Sequence, residues 1–248
     1  MSGHNKWSTI KRKKGAQDAK RGKIFTKIIK EITMAAREGG GDPELNPRLR
    51  LAIQNAKGAN MPKDNIERAI KKATGSEADS YIETTFEGYG PGGVAVFVEC
   101  LTDNNNRTVS AIRAAFNKHG GSLGTNGSLS FLFDRKGVFT LKPEGINLEE
   151  LELELIDAGA EDIETEGDRV IVTCAREDFG NLNKKLNQLG VEPKEAMLMR
   201  IPNDTKKLDV ESARKVLKFI EAIEDDDDVQ NVYHNLEMTD ELAAVLDQ

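Results

Sequence analysis

Asp162-Ile163-Glu164-Thr165-Glu166-Gly167-Asp168-Arg169-Val170-Ile171-Val172-Thr173-Cys174 reads as two paired strands, 162–166 and 169–174, and its flanks decide the fold. Before it stand a strand-like run at Val138–Leu141 and a helical pattern from Leu148 to Ala158. After it come a helical pattern from Glu177 to Leu189 and a strand-like run at Ala196–Ile201. The order is βαββαβ, the ferredoxin-like split βαβ unit, complete within one segment.

Working outward, Thr84–Glu87 and Val94–Leu101 read as strands around the turn Gly88–Gly93. A helix through Val109, Ile112, Ala115 and Phe116 follows, then a strand at Leu129–Phe133. Past the βαββαβ segment the pattern resumes with a helix at Val210–Ile223 and a strand at Val229–Leu236. These supply the second half that the Thr84–Phe133 unit lacks, so the βαββαβ segment is expected as an insertion.

Toward the N-terminus, Ile24, Phe25, Ile28, Ile29, Ile32 and Ala36 recur at helical spacing, with Lys20, Lys23, Lys27 and Lys30 on the opposite side of the wheel. That predicts an amphipathic helix with a basic outer face. Asn46-Pro47 opens a second helix ending at Gly58, and Pro62 opens a third ending at Gly75. Three short helices with one apolar face each must pack together. The fold class expected is α+β multidomain: an N-terminal three-helix bundle plus two ferredoxin-like α/β domains, one inserted in the other. The expected divisions are 1–78, then 79–134 plus 206–248, with 135–205 inserted.

Charge is distributed unevenly over this plan. Residues 1–75 hold 18 Lys+Arg against 7 Asp+Glu, a net of +11, while the remainder is net −18. Separation of this kind sets up a field in which one end attracts polyanions. The expected nucleic-acid contacts are Lys6, Lys11, Arg12, Lys13, Lys14, Lys20, Arg21, Lys23, Lys27 and Lys30. The turn residues Asn60, Lys63 and Asn65 join them, since a turn before a helix can present Asn and Lys to base edges. Trp7, the sole tryptophan, either stacks on an unpaired base or pins the arm to the helical domain.

Several chemistries find no support. The Gly88–Gly93 loop lacks the Gly-Lys-Ser/Thr ending of a phosphate loop and reads as a structural turn. Asn104, Asn106 and Arg107 begin a helix, where they either cap it or hold an anion. Asp225–Asp228 lacks calcium-loop spacing and reads as a solvated acidic turn. Cys100 and Cys174 are far apart and read as buried reduced thiols, and three scattered histidines offer no zinc site. No metal, cofactor or catalytic residue is expected. With no long apolar stretch and no apolar signal region, a cytoplasmic protein without membrane association is expected.

The strings Gly3-His4-Asn5-Lys6-Trp7-Ser8, 16–27, Asn60-Met61-Pro62-Lys63-Asp64-Asn65-Ile66, 90–95, 102–108 and Phe133-Asp134-Arg135-Lys136-Gly137 together resemble the YebC/PmpR family across essentially the whole chain. Lys13, Gly15 and Phe131 stand where many relatives carry arginine, alanine and tryptophan. The resemblance implies a helical domain plus two α/β domains. It also implies a DNA-binding transcriptional regulator, although related mitochondrial members are translational activators of cytochrome oxidase and some bacterial members are ribosome-associated. The expected function is therefore a non-enzymatic regulator of gene expression that grips nucleic acid, DNA or ribosomal RNA, and offers its acidic α/β domains to a protein partner. An enzyme acting at an interdomain cleft is the competing class, with Asp103–Arg107 as its candidate segment.

Overall fold

The computed structural model describes residues 17–75, 80–142, 147–239, 241, 242 and 244, with backbone alone at 17–21, 148 and 149. Its contacts gather the chain into two compact units. One comprises the described parts of 1–30, 79–134 and 201–248, the other those of 31–78 and 135–200.

Three helices lead: α1 (Gln17–Gly39), α2 (Pro47–Gly58) and α3 (Lys63–Ala73). Ile32, Ala35 and Ala36 of α1, Leu49, Ala52 and Ala56 of α2, and Ile66, Ala69 and Ala73 of α3 are buried. Small residues dominate these stripes and permit close helix approach. The apolar stripe expected along all of α1 is buried only in its later turns, Ile24 being 42% exposed. Asn46 fastens the first corner. Its Oδ1 accepts the Leu49 amide at 3.0 Å, while Nδ2 donates to the carbonyls of Ala35 at 2.7 Å and Gly40 at 2.8 Å. One side chain thus caps α2 and closes the end of α1.

The second corner is a Schellman turn. The Asn60 amide donates to the Lys57 carbonyl at 2.9 Å and that of Met61 to the Ala56 carbonyl at 2.9 Å, with Asn60 at φ 57°. Asparagine tolerates this left-handed conformation, which gives Asn60 a structural reason for its identity.

The unit that holds α2, α3 and α1 from Glu31 onward also holds α5 (Leu148–Asp157), α6 (Phe179–Gln188) and a sheet of β4 (Phe133–Leu141), β5 (Ala160–Glu166), β6 (Arg169–Ala175) and β7 (Glu195–Pro202) ordered β5-β6-β4-β7. β5 and β4 both run antiparallel to β6. That is the ferredoxin-like order the βαββαβ reading requires. Phe139, Leu141, Val170, Val172 and Cys174 of the sheet pack with Leu155, Leu182 and Leu186 of the helices.

β7 is an edge strand, and Asn55 of α2 covers part of it. The Asn55 amide group donates to the Ala196 carbonyl at 2.8 Å and accepts the Ala196 amide at 2.9 Å, as a neighbouring strand would. The approach is so close that a Cβ on Gly58 would lie 1.8 Å from the Lys194 carbonyl oxygen. Gly58→Ala is expected to force α2 away from this edge and to lower the urea midpoint by the equivalent of about 1–3 kcal/mol.

The first unit contributes β1 (Ile82–Tyr89), β2 (Ala95–Thr102), α4 (Asn105–Lys118), β3 (Ser122–Leu123), α7 (Val210–Glu224) and β8 (Val229–His234). Its sheet is ordered β3-β1-β2-β8, with each neighbouring pair antiparallel. Val94, Val96, Val98 and Cys100 meet Ile112 and Phe116 of α4 and Val216, Phe219 and Ile220 of α7. Phe116 and Phe219 pack edge to face with ring centres 4.8 Å apart. The Gly88–Gly93 loop is a structural turn, as expected. Gly92 adopts φ 67° inside a 3₁₀ turn, and the Gly90 amide bonds the Val94 carbonyl at 2.8 Å.

One expected strand is corrected. Leu129–Phe133 does not join this sheet, because Ser130–Leu132 form a 3₁₀ turn and Phe133 begins β4 in the other sheet. The edge position goes to the two-residue β3, too short to carry an alternating pattern.

Candidate nucleic-acid interface

Of the expected contacts, Lys6, Trp7, Lys11, Arg12, Lys13 and Lys14 lie outside the described residues, and Lys20 and Arg21 are described by backbone alone, in the first turns of α1. Lys23, Lys27 and Lys30 follow on that helix; the structure corrects the expected outer face at Lys30 and gives Lys23 an acidic neighbour. Lys23 Nζ lies 2.5 Å from Asp225 Oδ1. Lys30 is only 8% exposed, and its ammonium donates to Asp228 Oδ1 at 2.8 Å and to the Asp227 carbonyl at 2.7 Å. It also lies 5.5 Å from the centre of the Tyr81 ring. Lys23 and Lys30 of α1 are thus met by the Asp225–Asp228 turn. Lys30 serves as an internal counter-ion instead of a phosphate contact.

Asp228, read as part of a solvated turn, is the centre of this arrangement. Its side chain is 6% exposed. Oδ1 takes the Lys30 ammonium, while Oδ2 takes Arg107 Nη2 at 2.6 Å and lies 3.0 and 2.9 Å from the hydroxyls of Thr102 and Thr108. Burial alone would raise this carboxyl, but hydrogen bonds from Lys30, Arg107 and Thr108 outweigh it and hold the pKa down at about 2.

Stability from a depressed carboxyl is present above its ordinary 3.8 and is lost as pH falls through the folded value near 2. The difference in urea stability between wild type and Asp228→Asn is therefore expected to be constant near neutrality. Roughly half should remain at pH 3 and little at pH 2.

The anion-binding expectation at Asn104, Asn106 and Arg107 gives way to a capping and ion-pair account. Asn104 Oδ1 accepts the Arg107 amide at 3.1 Å, the N-cap of α4. The Arg107 guanidinium is held by Asp228 and by Asp103 Oδ1 at 2.7 Å, which keep it protonated. Asn106 is exposed, and its carbonyl accepts the Ser110 hydroxyl at 2.8 Å. An external anion here would face two protein carboxylates already engaged with the same cation.

In the other unit, Asn60 and Lys63 are exposed and Asn65 is half-buried. Among the described residues Lys63 makes one ion pair, a solvent-exposed one with Glu67 at 3.3 Å. Burial of Ile66, Ala69 and Ala73 turns Arg68 and Lys71 to the opposite, solvent side of α3, with Lys72 beside them. These three cations stand outside the contacts expected from the sequence, although the apolar spacing of α3 fixes their direction.

Neither thiol suits nucleophilic work. Burial, with nearby Asp226 and Asp228, pushes Cys100 up to about 12. Burial with Asp178 and Glu161 pushes Cys174 up to about 11. Among the described residues no group of three or more His, Cys, Asp or Glu is disposed to hold a metal ion, and no helix is long and apolar enough to cross a membrane.

Comparison with known proteins supplies the context. Residues 5–76 match the TACO1/YebC protein N-terminal domain, and residues 81–236 match the TACO1/YebC second and third domain. A "Probable transcriptional regulatory protein" of Rubrobacter xylanophilus is 54% identical over 98% of both chains. A protein of Idiomarina loihiensis, also described as a probable transcriptional regulatory protein, is 53% identical over 100% of both. Among solved structures, a conserved hypothetical protein from Aquifex aeolicus superposes with a TM-score of 0.79 at 46% identity, covering 89% of this chain and 91% of that one.

Proposed function

The chain belongs to the TACO1/YebC family, and from that premise we propose that it is a non-enzymatic, cytoplasmic regulator of transcription that grips DNA through its basic N-terminal region. The observation that carries the proposal is the charge separation of +11 in residues 1–75 against −18 in the rest. Lysine and arginine at phosphates release counterions, so a concentrated basic segment binds nucleic acid without any base-reading motif. Relatives named as transcriptional regulatory proteins support the same reading.

The contacts proposed are Lys6, Lys11, Arg12, Lys13, Lys14, Lys20 and Arg21 at the N-terminus and Lys27 of α1, with Asn60, Lys63 and Asn65 and the exposed Arg68, Lys71 and Lys72 of α3. Lys23 and Lys30 are left out because carboxylates of the protein engage them. The three-part division at 1–78, 79–134 plus 206–248 and 135–205 belongs to this proposal, as does a protein partner for the acidic domains.

Against an enzyme, the Asp103–Arg107 segment is committed to capping and ion pairing. A second reading, ribosomal RNA and a role in translation, draws on Trp7 among the cations, since an indole stacks best on unpaired bases. The proposal is tested by titrating labelled duplex DNA over a range of salt. About six phosphate contacts give a log–log slope near −5, whereas a slope near zero would refute the electrostatic grip.

A further inference from the structure

The outer edge of β1 is open at Thr85. β3 pairs with it only at Gly88↔Leu123 and Tyr89↔Ser122, and the Gly124 amide then donates to the Glu87 carbonyl at 2.7 Å. Beyond that point the chain turns away, and Glu87 is the cause. Its buried carboxylate accepts the amides of Gly127 and Leu129, both at 2.7 Å, and curls 124–129 into a loop. Because the Glu87 carbonyl faces this edge, the two-residue alternation of an antiparallel strand directs the Thr85 amide and carbonyl there too. Thr85 makes no backbone bond on that side among the described residues.

A groove of about 390 Å³ runs beside this edge. Its far wall is one face of α4, where Asn105, Val109 and Arg113 recur every four residues. Val109 and Leu123 supply half-buried apolar surface. Arg113 is exposed and makes no hydrogen bond or ion pair among the described residues.

We propose that this groove receives an extended segment of a protein partner, added as a strand to β1, with an acidic side chain of that segment paired to Arg113. The open amide and carbonyl of Thr85 select an extended chain, since an added strand satisfies both in register. An apolar side chain directed into the groove meets Val109 and Leu123. The unpaired guanidinium selects a carboxylate, for which its planar fork is suited.

The test uses the full chain and a short fluorescein-labelled peptide of alternating threonine and valine with one central aspartate. Wild type is expected to bind it saturably with Kd tighter than about 1 mM. Arg113→Glu should weaken binding at least about tenfold, and a peptide with lysine in place of aspartate should recover the loss on that variant. Thr85→Pro, which removes an outward amide at an edge position open to proline, should also weaken binding at least about tenfold. Slowed hydrogen exchange of the Thr85 amide in the wild-type complex gives a readout that does not depend on the variant folding. Absence of saturable binding, or equal affinity in wild type and Arg113→Glu, would overturn the proposal. So would displacement of the peptide by a single-stranded oligonucleotide without protection of Thr85, which would assign the groove to nucleic acid.

Discussion

Replacing Asp228 with alanine is expected to lower folding stability by about 3–5 kcal/mol, because it strands a buried ammonium without its counter-ion. Lys30 comes from α1, Arg107 from the first turn of α4, and Asp228 from the turn between α7 and β8. A single carboxylate therefore ties three segments distant in sequence, and the Thr102 and Thr108 hydroxyls lose the same acceptor. Equilibrium urea unfolding measures the effect. The double replacement Lys30→Met with Asp228→Leu is expected to recover part of the loss, since it removes the stranded ammonium but still leaves the Thr102 and Thr108 hydroxyls without their carboxylate acceptor. A loss below about 1 kcal/mol for Asp228→Ala would instead equate this pair with an ordinary surface bridge.

Alanine at Lys11, Arg12, Lys13 and Lys14 together is expected to have the largest effect on binding. Losing four phosphate contacts flattens the log–log salt slope on duplex DNA by about 3.6, from about −5.4 to about −1.8. At 0.1 M salt, relative to 1 M, the same counterion term corresponds to about 3.6 decades in affinity. Lys30→Ala is expected to behave oppositely, lowering stability while leaving the slope unchanged, because its ammonium is bonded to Asp228 and the Asp227 carbonyl. Fluorescence anisotropy across a salt series separates the two outcomes. An unchanged slope in the quadruple variant would remove the arm from the interface.

The parts of the fold legible in the sequence are those where one element carries its own periodic signal. The βαββαβ segment alternates strand-like and helical runs over lengths sufficient to show both periods. Its sheet has the order β5-β6-β4-β7 that those runs imply. The helices α2 and α3 announce themselves by Asn46-Pro47, Pro62 and their alanine-rich stripes. Ser122–Leu123 is too short to display any period, and the strand expected at Leu129–Phe133 is instead a 3₁₀ turn at Ser130–Leu132 with Phe133 opening β4.

The electrostatic core was not legible for a different reason. Lys30, Arg107 and Asp228 each sit in a locally charged stretch, where solvation is the ordinary expectation. Only tertiary contact brings them together, across 121 residues between Arg107 and Asp228 and 198 between Lys30 and Asp228. A helical wheel drawn for α1 in isolation sees Lys30 opposite the apolar stripe and cannot register the acidic turn that meets it. The cationic outer face of α3, by contrast, was available from the spacing of Ile66, Ala69 and Ala73.

The most direct measurement is salt-controlled co-sedimentation of the full-length protein with purified ribosomes in the presence of excess duplex DNA carrying promoter sequence. As a DNA-binding regulator, the protein is expected to leave the ribosomes when DNA is supplied at matched phosphate concentration. Retention on ribosomes at a salt concentration that strips the protein from DNA would contradict that account and identify the basic region as an RNA contact in translation.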